Sequence, residues 1–262
     1  MNFNFFKFNL IHFLRYLYLI KLNKFEIEIN ILNKLINKNS TCIDIGSCHG
    51  SYTRILSNYS KVVYSFEPEK SNFKYLSTVL NQNNIILKKL AVSDRVGSSF
   101  LNVPTFKGKK NTAMSSLIKN IKKKNIKFQK IKTVTLDYFF KNKKIKNLDL
   151  IKIDVEGAEY KIIKGGTKII KNFKPIMIIE IMKQNYSIEK NIFKLLKKEG
   201  YLSFYLSRKN LKLLACDFKD LSKLQSKVRK NKKNNDFFDQ SYVQNFIFIH
   251  KKKIQKYNFL FN

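Results

Sequence analysis

Asp44-Ile45-Gly46-Ser47-Cys48-His49-Gly50 follows the first strand-like apolar run of the chain, Thr41–Ile45, and precedes a helical pattern. The order predicts a buried strand, a tight turn and a helix start, which is where open α/β sheets bind ligands. Gly46 permits unusual dihedral angles in the turn, and Gly50 allows a close approach to a ligand. A nicotinamide-binding turn would need glycines at positions 46, 48 and 51, whereas Cys48 and Ser51 occupy the last two. Asp44 would repel a phosphate and suits the ammonium of an amino-acid ligand.

Strand-like and helical segments alternate along the rest of the chain. Strands are predicted at Thr41–Ile45, Val62–Phe66, Ile85–Leu90, Asp149–Ile153, Pro175–Glu180, Tyr201–Leu206 and Gln244–Ile249. Helices are predicted at Glu26–Asn37, His49–Asn58, Ser71–Leu80, Glu159–Lys171 and Ile188–Lys198. This alternation is typical of an α/β, Rossmann-like fold, in which helices cover both faces of a mostly parallel sheet.

The alternation is interrupted between Val96 and Thr135. Two predicted strands, Phe100–Val103 and Ile131–Thr135, bracket a loop rich in Lys and Ser, with no long helix between them. We therefore expect an inserted β-hairpin or loop, and loops inserted at the carboxyl edge of a sheet usually serve substrates. The lysine-dense stretch Asp217–Asp239 is predicted to be an exposed helix or loop.

Further carboxylates follow the predicted strands. Glu67 ends the second strand, and a carboxylate there can accept both hydroxyls of a ribose. Asp154 follows a later strand, with Glu156 and Glu159 at the start of the next helix. Such a cluster can supply a general base, an acceptor that orients a hydroxyl, or ligands for a hard metal ion. Acidic residues in a first helical turn also complement the helix dipole, so we assign capping to Glu159, chemistry to Asp154, and leave Glu156 between them.

The chain carries a formal net charge of +34, from 52 basic and 18 acidic residues. Such a charge is typical of proteins that bind nucleic acid or a membrane surface. However, 47 of the basic residues are lysine, whereas planar recognition of phosphate favours arginine. Lysine here accompanies abundant Asn and Ile, a bias expected of an AT-rich coding sequence. We therefore expect a solvated surface and no nucleic-acid partner, while an acidic substrate stays electrostatically compatible.

Residues 1–38 are predicted to form an N-terminal helical extension, and residues 39–262 the α/β domain. The apolar first 25 residues, densest at Leu10–Ile20, are broken by charges and are too short to span a bilayer. We favour a helix docked on the domain, and keep open an interfacial helix in peripheral contact with a membrane. The three cysteines form no CxxC pair, which argues against a disulfide framework and a structural zinc. We expect a reduced, cytoplasmic protein.

Several blocks of the sequence together resemble the FkbM family of methyltransferases. They are Asp44-Ile45-Gly46 with His49-Gly50, Phe66-Glu67-Pro68, Ala91-Val92-Ser93-Asp94, Thr135-Leu136-Asp137 and Lys152-Ile153-Asp154-Val155-Glu156-Gly157-Ala158-Glu159, followed by Gly165 and Glu180. The resemblance covers residues 41–205. It implies the class I methyltransferase fold, a seven-stranded sheet whose last strand is antiparallel. It also implies S-adenosyl-L-methionine as the cofactor, in a family that mostly methylates oxygens of sugars, glycans or polyketides.

The resemblance assigns roles to individual residues. It implies a cofactor site made of Asp44, Gly46, His49, Gly50, Glu67, Ser93 and Asp94. The first four would surround the methionine part, Glu67 would hold the ribose, and the last two would flank the adenine. Ser115 and Ser116 of the inserted loop would close over the cofactor or the substrate. Cys48 replaces the Asn or Gly that is usual in the family, and a thiol is small enough to fit.

A sugar hydroxyl is a poor nucleophile, so we expect a general base among Asp154, Glu156 and His49. These residues with Glu180 could instead gather a divalent ion, but the spacing does not establish it and no metal is assigned. The expected acceptor is a sugar, glycan or small molecule, in the context of polysaccharide biosynthesis. Two alternatives stay open: an RNA methyltransferase, for which no appended RNA-binding motif is found, and a non-catalytic binding protein with the same fold. The oligomeric state is not predicted.

Overall fold

The structure is a computed structural model that describes residues 26–106, 109–110, 115–117, 126–182, 186–226 and 242–261. The apolar segment predicted at Leu10–Ile20, with its docking or membrane contact, lies outside the described residues. The second half of the stretch predicted at Asp217–Asp239 also lies outside them. The domain boundary between residues 38 and 39 stays a prediction.

Twelve strands are described, in two sheets. Their bounds are β1 Thr41–Ile45, β2 Val62–Phe66, β3 Ile85–Lys88, β4 Ala91–Val92, β5 Gly97–Phe106, β6 Lys109–Lys110, β7 Ile126–Val134, β8 Leu150–Ile153, β9 Ile176–Glu180, β10 Tyr201–Leu206, β11 Leu213–Ala215 and β12 Asn245–His250. The main sheet has the order β11-β10-β12-β9-β8-β1-β2-β3. The four remaining strands form the second sheet.

The centre of the main sheet is parallel. β1 pairs in parallel with β2 and β8, and the parallel set continues to β3 on one side and to β9 on the other. β12 runs antiparallel to both of its neighbours, β9 and β10. Every residue of β1, β8 and β12 is buried, as expected where helices cover both faces. The predicted α/β, Rossmann-like sheet with an antiparallel last strand is confirmed.

The main sheet has one strand more than the predicted seven. β11 adds to the outer edge of β10 in antiparallel register, with Leu206 opposite Leu213. The chain returns through a turn in which the Ser207 N–H donates to the Lys212 carbonyl at 2.8 Å. Leu213 is the only buried residue of the three in β11. So short a strand with one buried residue has no apolar periodicity that the sequence could reveal.

Helices cover both faces of the main sheet. The described α-helices are α1 Leu32–Leu35, α2 Ser51–Tyr59, α3 Lys70–Val79, α4 Leu136–Phe140, α5 Glu159–Gly165, α6 Thr167–Phe173, α7 Tyr186–Lys198 and α8 Leu221–Leu224. Successive residues of β8 point to opposite faces, so Ile151 joins one apolar cluster and Leu150 the other. Within the described ranges, none of the helices has the length and apolar content needed to cross a bilayer.

Two predicted helices are divided in the structure. The segment Glu26–Asn37 consists of a 3-10 helix at Ile27–Ile31 and the short α1. The three β-branched isoleucines of the 3-10 helix have low helix propensity, and the Glu28 side chain is buried towards the sheet. The segment predicted at Glu159–Lys171 is split into α5 and α6 at Gly166, a residue of low helix propensity.

The second sheet is the predicted insertion, with the order β4-β7-β5-β6. β5 and β7 pair in antiparallel register from Gly97 opposite Thr133 to Pro104 opposite Ile126, which confirms the predicted strand pair and lengthens both members. β4 pairs with β7 in parallel. The insertion has a small apolar core of its own, formed by Ala91, Leu101, Val103 and Ile131.

The Thr135-Leu136-Asp137 block joins two helices. Thr135 Oγ1 caps α4 by accepting a backbone N–H at 3.0 Å. The Asp137 carboxylate accepts the N–H groups of Lys168 at 3.1 Å and Ile169 at 2.9 Å, in the first turn of α6. Since α6 follows Gly166, which has no side chain, Asp137 provides the cap from another helix. The block therefore has a structural role.

Replacing Asp137 should test that role. Asp137→Ala leaves two N–H groups of α6 without their acceptor, and we expect it to lower the free energy of unfolding by about 1–2 kcal/mol. Asp137→Asn keeps one acceptor oxygen and should lose less. Urea unfolding followed by circular dichroism measures both. If Asp137→Ala unfolds at the wild-type urea concentration, the carboxylate does not hold the two helices together.

Candidate active site

The turn after β1 is packed directly against the end of β8. Gly46 has φ +84°, and a Cβ atom there would lie 1.8 Å from the backbone oxygen of Asp154. Only glycine fits this position, as the sequence predicts. Gly50 has φ +79°, but a Cβ atom there would meet the Leu76 side chain of α3 at 2.7 Å. Its positive φ and its packing against α3 both favour glycine, and the expected close approach of Gly50 to a ligand stays a prediction.

The backbone conformation at position 48 explains why Asn or Gly is usual there in the family. Its φ of +46° lies in the left-handed region, which Gly and Asn adopt more readily than other residues. The Cys48 N–H donates to Glu67 Oε2 at 2.8 Å, so this conformation connects the turn to the end of β2. Its Sγ lies 3.1 Å from His49 Nδ1. The position thus favours a residue that tolerates a left-handed backbone, and cysteine adopts this conformation at a cost in folding stability.

Asp44 is held behind the turn by hydroxyl groups. The side chain is 2% exposed, and Thr53 Oγ1 of α2 donates to its Oδ2 at 2.5 Å. The same hydroxyl is 3.0 Å from Ser65 Oγ, which is 2.6 Å from Ser47 Oγ. Burial raises the pKa of Asp44 to about 6, although the Thr53 hydroxyl opposes the rise. These contacts attach α2 to β1 and β2. The predicted contact between Asp44 and a cofactor stays a prediction.

Glu67 stands at the end of β2 with both carboxylate oxygens engaged. Oε2 accepts the Cys48 N–H, and Oε1 accepts the Glu69 N–H at 2.8 Å. Burial raises the pKa of Glu67 to about 7, while these backbone N–H groups oppose the rise. The Asn72 side chain also hydrogen-bonds to this carboxylate. Because a carboxylate has about four lone-pair sites, one remains for another donor. Glu67 therefore fixes the turn and remains able to accept a hydrogen bond from a ligand.

A pocket opens between the turn, the ends of β2 and β8, and the insertion. We call it the first pocket, and it is lined by Ile45, Gly46, Cys48, Phe66, Glu67, Pro68, Leu90, Ala91, Val92, Leu101, Ser115, Leu117, Asp154, Val155 and Glu156. Its walls are mostly apolar, with carboxylates at one end. The insertion contributes Leu101, Ser115 and Leu117 to the lining and so covers the pocket. Ser115 thus lies at the pocket, as we expected from the sequence.

The two serines of the insertion face different partners. Ser115 Oγ is buried and has no hydrogen-bond partner among the described residues. Ser116 Oγ donates to the Glu156 carbonyl at 2.7 Å and so ties the insertion to the loop after β8. An orphaned buried hydroxyl in a pocket wall suits a polar ligand group, because buried polar atoms are nearly always hydrogen-bonded.

Two predicted cofactor residues lie beside the first pocket and not on its wall. Ala91 and Val92 line it, whereas Ser93 and Asp94 are outside the lining. A Cβ atom at Gly165 would lie 2.1 Å from the Ser93 carbonyl oxygen, so this segment packs directly on α5. Cofactor contacts by Ser93 and Asp94 stay predictions, and in this structure the segment meets the pocket through Ala91 and Val92.

The loop after β8 presents Asp154 and Glu156 to the first pocket. Glu156 has φ +55° and is followed by Gly157 at φ +103°, so the backbone reverses sharply here. Glu159 Oε1 accepts the Gly157 N–H at 2.8 Å, in keeping with the structural role assigned to it. Burial raises the pKa of Glu159 to about 7, although that N–H opposes the rise. Asp154 and Glu156 are thus the two acids of this loop that a ligand can reach.

His49, the third predicted base, is placed elsewhere. It is exposed, and its ring contacts Tyr75 of α3 in an edge-on arrangement with centroids 6.1 Å apart. It does not belong to the lining of the first pocket. A catalytic role for His49 stays a prediction, and the structure favours Asp154 and Glu156 for that role.

Lys152 also belongs to this edge of the sheet, although the sequence analysis did not predict it as a site residue. Its side chain is 1% exposed, and its Nζ donates to Asn245 Oδ1 at 2.8 Å. The same Nζ lies 3.5 Å from both Glu26 Oε2 and Asp154 Oδ2. Burial alone would lower the pKa of Lys152, but the surrounding carboxylates outweigh it and raise the pKa. A lysine within the apolar run Leu150-Ile151-Lys152-Ile153 was the signal in the sequence.

Glu180 completes the group around Asp154. It ends β9 next to β8 and shares a hydrogen bond with the Asp154 carboxylate. Burial and the Asp154 charge raise the pKa of Glu180 well above its usual range, so it carries a proton at neutral pH. Within the described residues, no three His, Cys, Asp or Glu side chains are arranged to hold a metal ion.

The glycine turn after β1, the acid after β2 and the acids after β8 meet at one edge of the sheet. With the strand order above, they define a Rossmann-like domain of the methyltransferase class. The family model of the methyltransferase FkbM domain matches residues 44–203. The chain therefore belongs to the FkbM methyltransferase family, as the sequence blocks predicted. No curated protein matches the chain.

Similar solved structures come from several kinds of methyltransferase. Methyltransferase FkbM from Methylobacillus flagellatus KT is 17% identical with a TM-score of 0.39, over 55% of this chain and 33% of that one. This chain thus spans about a third of that protein's length. An rRNA methylase from Streptococcus thermophilus is 10% identical with a TM-score of 0.44, over 86% and 94%. TrmK of M. capricolum, in complex with S-adenosyl-homocysteine, is 16% identical with a TM-score of 0.38, over 87% and 69%. Similarity at this level does not indicate which reaction this protein catalyses.

Replacing Cys48 should relieve its backbone strain. Because Asn enters the left-handed region more readily than Cys, we expect Cys48→Asn to raise the free energy of unfolding by about 1 kcal/mol. Cys48→Ala removes the thiol without this relief and serves as the matched control, with no gain expected. Urea unfolding measures both variants. An equal gain in Cys48→Ala would show that the thiol, and not the backbone, is responsible.

Glu159 should make stability depend on pH. Its folded-state pKa of about 7 lies above the ordinary value of 4.5. The stability it contributes is therefore complete below about pH 4.5 and lost as the pH rises through about 7. Glu159→Gln keeps the acceptor for Gly157, so it should match wild type near pH 4.5 and be more stable near pH 8, by on the order of 2–3 kcal/mol.

Thermal unfolding of both proteins across this pH range measures the difference. Glu199→Gln removes one negative charge outside the group around Asp154 and controls for net charge. A Glu159→Gln gain of the same size at both ends of the range would contradict the assigned pKa.

Proposed function

We propose that this protein transfers a methyl group from S-adenosyl-L-methionine to a sugar hydroxyl, in a glycan or a small molecule. The observation that carries the proposal is the position of Asp154, which lines the first pocket and contacts the buried Lys152 ammonium at 3.5 Å. Membership of the FkbM methyltransferase family supports methyl transfer. A carboxylate beside the pocket suits a hydroxyl acceptor, because a hydroxyl must lose its proton as it is methylated.

The first pocket fits this cofactor in its polarity. Glu67 can accept a ribose hydroxyl with the lone pair that the two backbone N–H groups and the Asn72 side chain leave free. Leu90, Val92 and Leu101 supply apolar walls suited to an adenine ring. Ser115 Oγ, buried without a partner among the described residues, would gain one from a polar group of the ligand. None of the described residues that line this pocket is basic, and its carboxylates would repel a phosphorylated cofactor.

When bound, the cofactor supplies a methyl group on a positively charged sulfur, which is already reactive towards oxygen. The protein's part is to align the acceptor hydroxyl and to exclude water. Asp154 is placed to accept the hydroxyl proton. The ion pair with Lys152 and the hydrogen bond with Glu180 hold the Asp154 carboxylate in one orientation. Glu156, on the same loop, can orient the acceptor.

Cofactor binding and methyl transfer separate the roles of Glu67 and Asp154. Calorimetric titration with S-adenosyl-homocysteine should show binding to wild type, and Glu67→Ala should weaken it at least about tenfold through the lost ribose hydrogen bond. Asp154→Asn should keep this binding and lower methyl transfer to saccharide extracts by about 10²–10⁴-fold. Glu199→Ala is the matched control, and circular dichroism checks that each variant is folded.

Labelled methyl groups identify the acceptor class. The proposal expects the label in saccharide extracts and not in RNA from the same cells. Absence of S-adenosyl-homocysteine binding to wild type would overturn the methyltransferase proposal. Label in RNA alone would overturn the sugar acceptor and favour the RNA alternative.

A further inference from the structure

A second cavity lies at the same edge of the sheet, over β10 and β12. It encloses about 740 Å³, within the range usual for small-molecule sites. Its lining includes Glu26, Glu28 and Asn245 on the inner side. Glu28 and Asn245 are 5% and 3% exposed, so this inner side is set into the protein and not part of the open surface.

The inner side of the second cavity carries two carboxylates that hydrogen bonds hold in place. Asn245 Nδ2 donates to Glu26 Oε2 at 2.7 Å and to Glu28 Oε2 at 3.3 Å. Asn245 Oδ1 accepts from Lys152, which fixes the orientation of the amide. Two carboxylates held side by side in this way suit a ligand that offers several O–H donors, as a saccharide ring does. They would repel a phosphate at the same place.

The outer side of the second cavity has the opposite charge. Arg208, at the end of the β10 segment, and Lys223, in α8, line it. Tyr242 and Tyr205 add aromatic surface between the two sides. An acidic inner side with a basic outer side is complementary to a ligand with hydroxyls at one end and an anionic group at the other. A neutral sugar would leave the basic side unused, and a nucleic-acid strand would bring phosphates against Glu26 and Glu28.

Lys152 connects the second cavity to the first pocket. Its Nζ is 3.5 Å from Glu26 Oε2, which lines the cavity, and 3.5 Å from Asp154 Oδ2, which lines the pocket. The two sites therefore adjoin at this ammonium, which contacts one carboxylate of each. Both lie at the carboxyl edge of the sheet, where α/β proteins bind their ligands.

We propose that the second cavity binds the methyl acceptor, and that the acceptor is a saccharide carrying a phosphate or carboxylate group. Its hydroxyls lie against Glu26, Glu28 and Asn245, on the side of the cavity where Lys152 joins Glu26 to Asp154, and its anionic group lies against Arg208 and Lys223. This inference rests on the proposed function, because it names the acceptor class for the same methyl transfer. It adds the residues that select the acceptor.

Calorimetry with glucose 1-phosphate, free glucose and inorganic phosphate tests the proposal. Glucose 1-phosphate should bind at least about fivefold more tightly than either of the other two, because it alone engages both sides of the cavity. Arg208→Ala should weaken glucose 1-phosphate by about tenfold, the effect of one lost charged hydrogen bond. Lys141→Ala removes a lysine from the exposed end of α4 and is the matched control, with no change expected.

A second variant examines the inner side. Glu28→Gln should weaken glucose 1-phosphate while leaving inorganic phosphate unchanged or tighter, because a repelling carboxylate is removed. Thermal unfolding confirms that each variant is folded. The proposal is overturned if glucose 1-phosphate binds no better than inorganic phosphate, or if Lys141→Ala weakens it as much as Arg208→Ala. S-adenosyl-homocysteine titrated into the same variants keeps the two proposals apart, since its binding tests the cofactor site and should be unchanged.

Discussion

The buried Lys152 ammonium is the interaction on which the active edge of this protein depends. A charge placed inside a parallel sheet is expensive unless it is paired and hydrogen-bonded. Lys152 obtains one partner locally, Asp154 after β8, and two from distant parts of the chain, Glu26 before the first strand and Asn245 at the start of β12. Satisfying this one ammonium therefore positions the acid of the site, closes the inner side of the second cavity, and draws the segment at Glu26 onto the sheet.

Most of the sequence blocks that resemble the FkbM family contact one another in the structure. Gly165 accommodates the Ser93 carbonyl, Asp137 caps α6, and Glu159 holds the Gly157 N–H. Gly46 fits against the Asp154 backbone in the same way. The blocks keep the ends of β1, β2 and β8 at fixed distances from each other. The carboxylates of these blocks that also line the first pocket are Glu67, Asp154 and Glu156, which follow the ends of β2 and β8.

The sequence was sufficient for features that depend on local pattern. Runs such as Leu150–Ile153 predict buried strands, and the glycine turn predicts the ligand edge, because both signals lie within a few residues. The fixed partners of Lys152 could not be predicted, since Asn245 is 93 residues away and Glu26 is 219 residues from Asn245. The contact between Gly50 and Leu76 of α3 could not be predicted for a related reason. The position of a helix relative to a turn depends on the fold and not on the local sequence.

The charge of the chain acts differently at the surface and at the site. A net charge of +34 attracts any anion, and raises the rate at which an anionic acceptor or a nucleic acid meets the protein. The site itself is rich in carboxylates, and burial raises the pKa values of Asp44, Glu67 and Glu28. Above these pKa values the carboxylates are ionised and repel a polyanion, whereas they accept hydrogen bonds from a ligand with hydroxyls at its leading end. In the proposed acceptor site, the acidic edge and the nearby Arg208 and Lys223 would together select the ligand, while the other lysines raise the rate of encounter with anions.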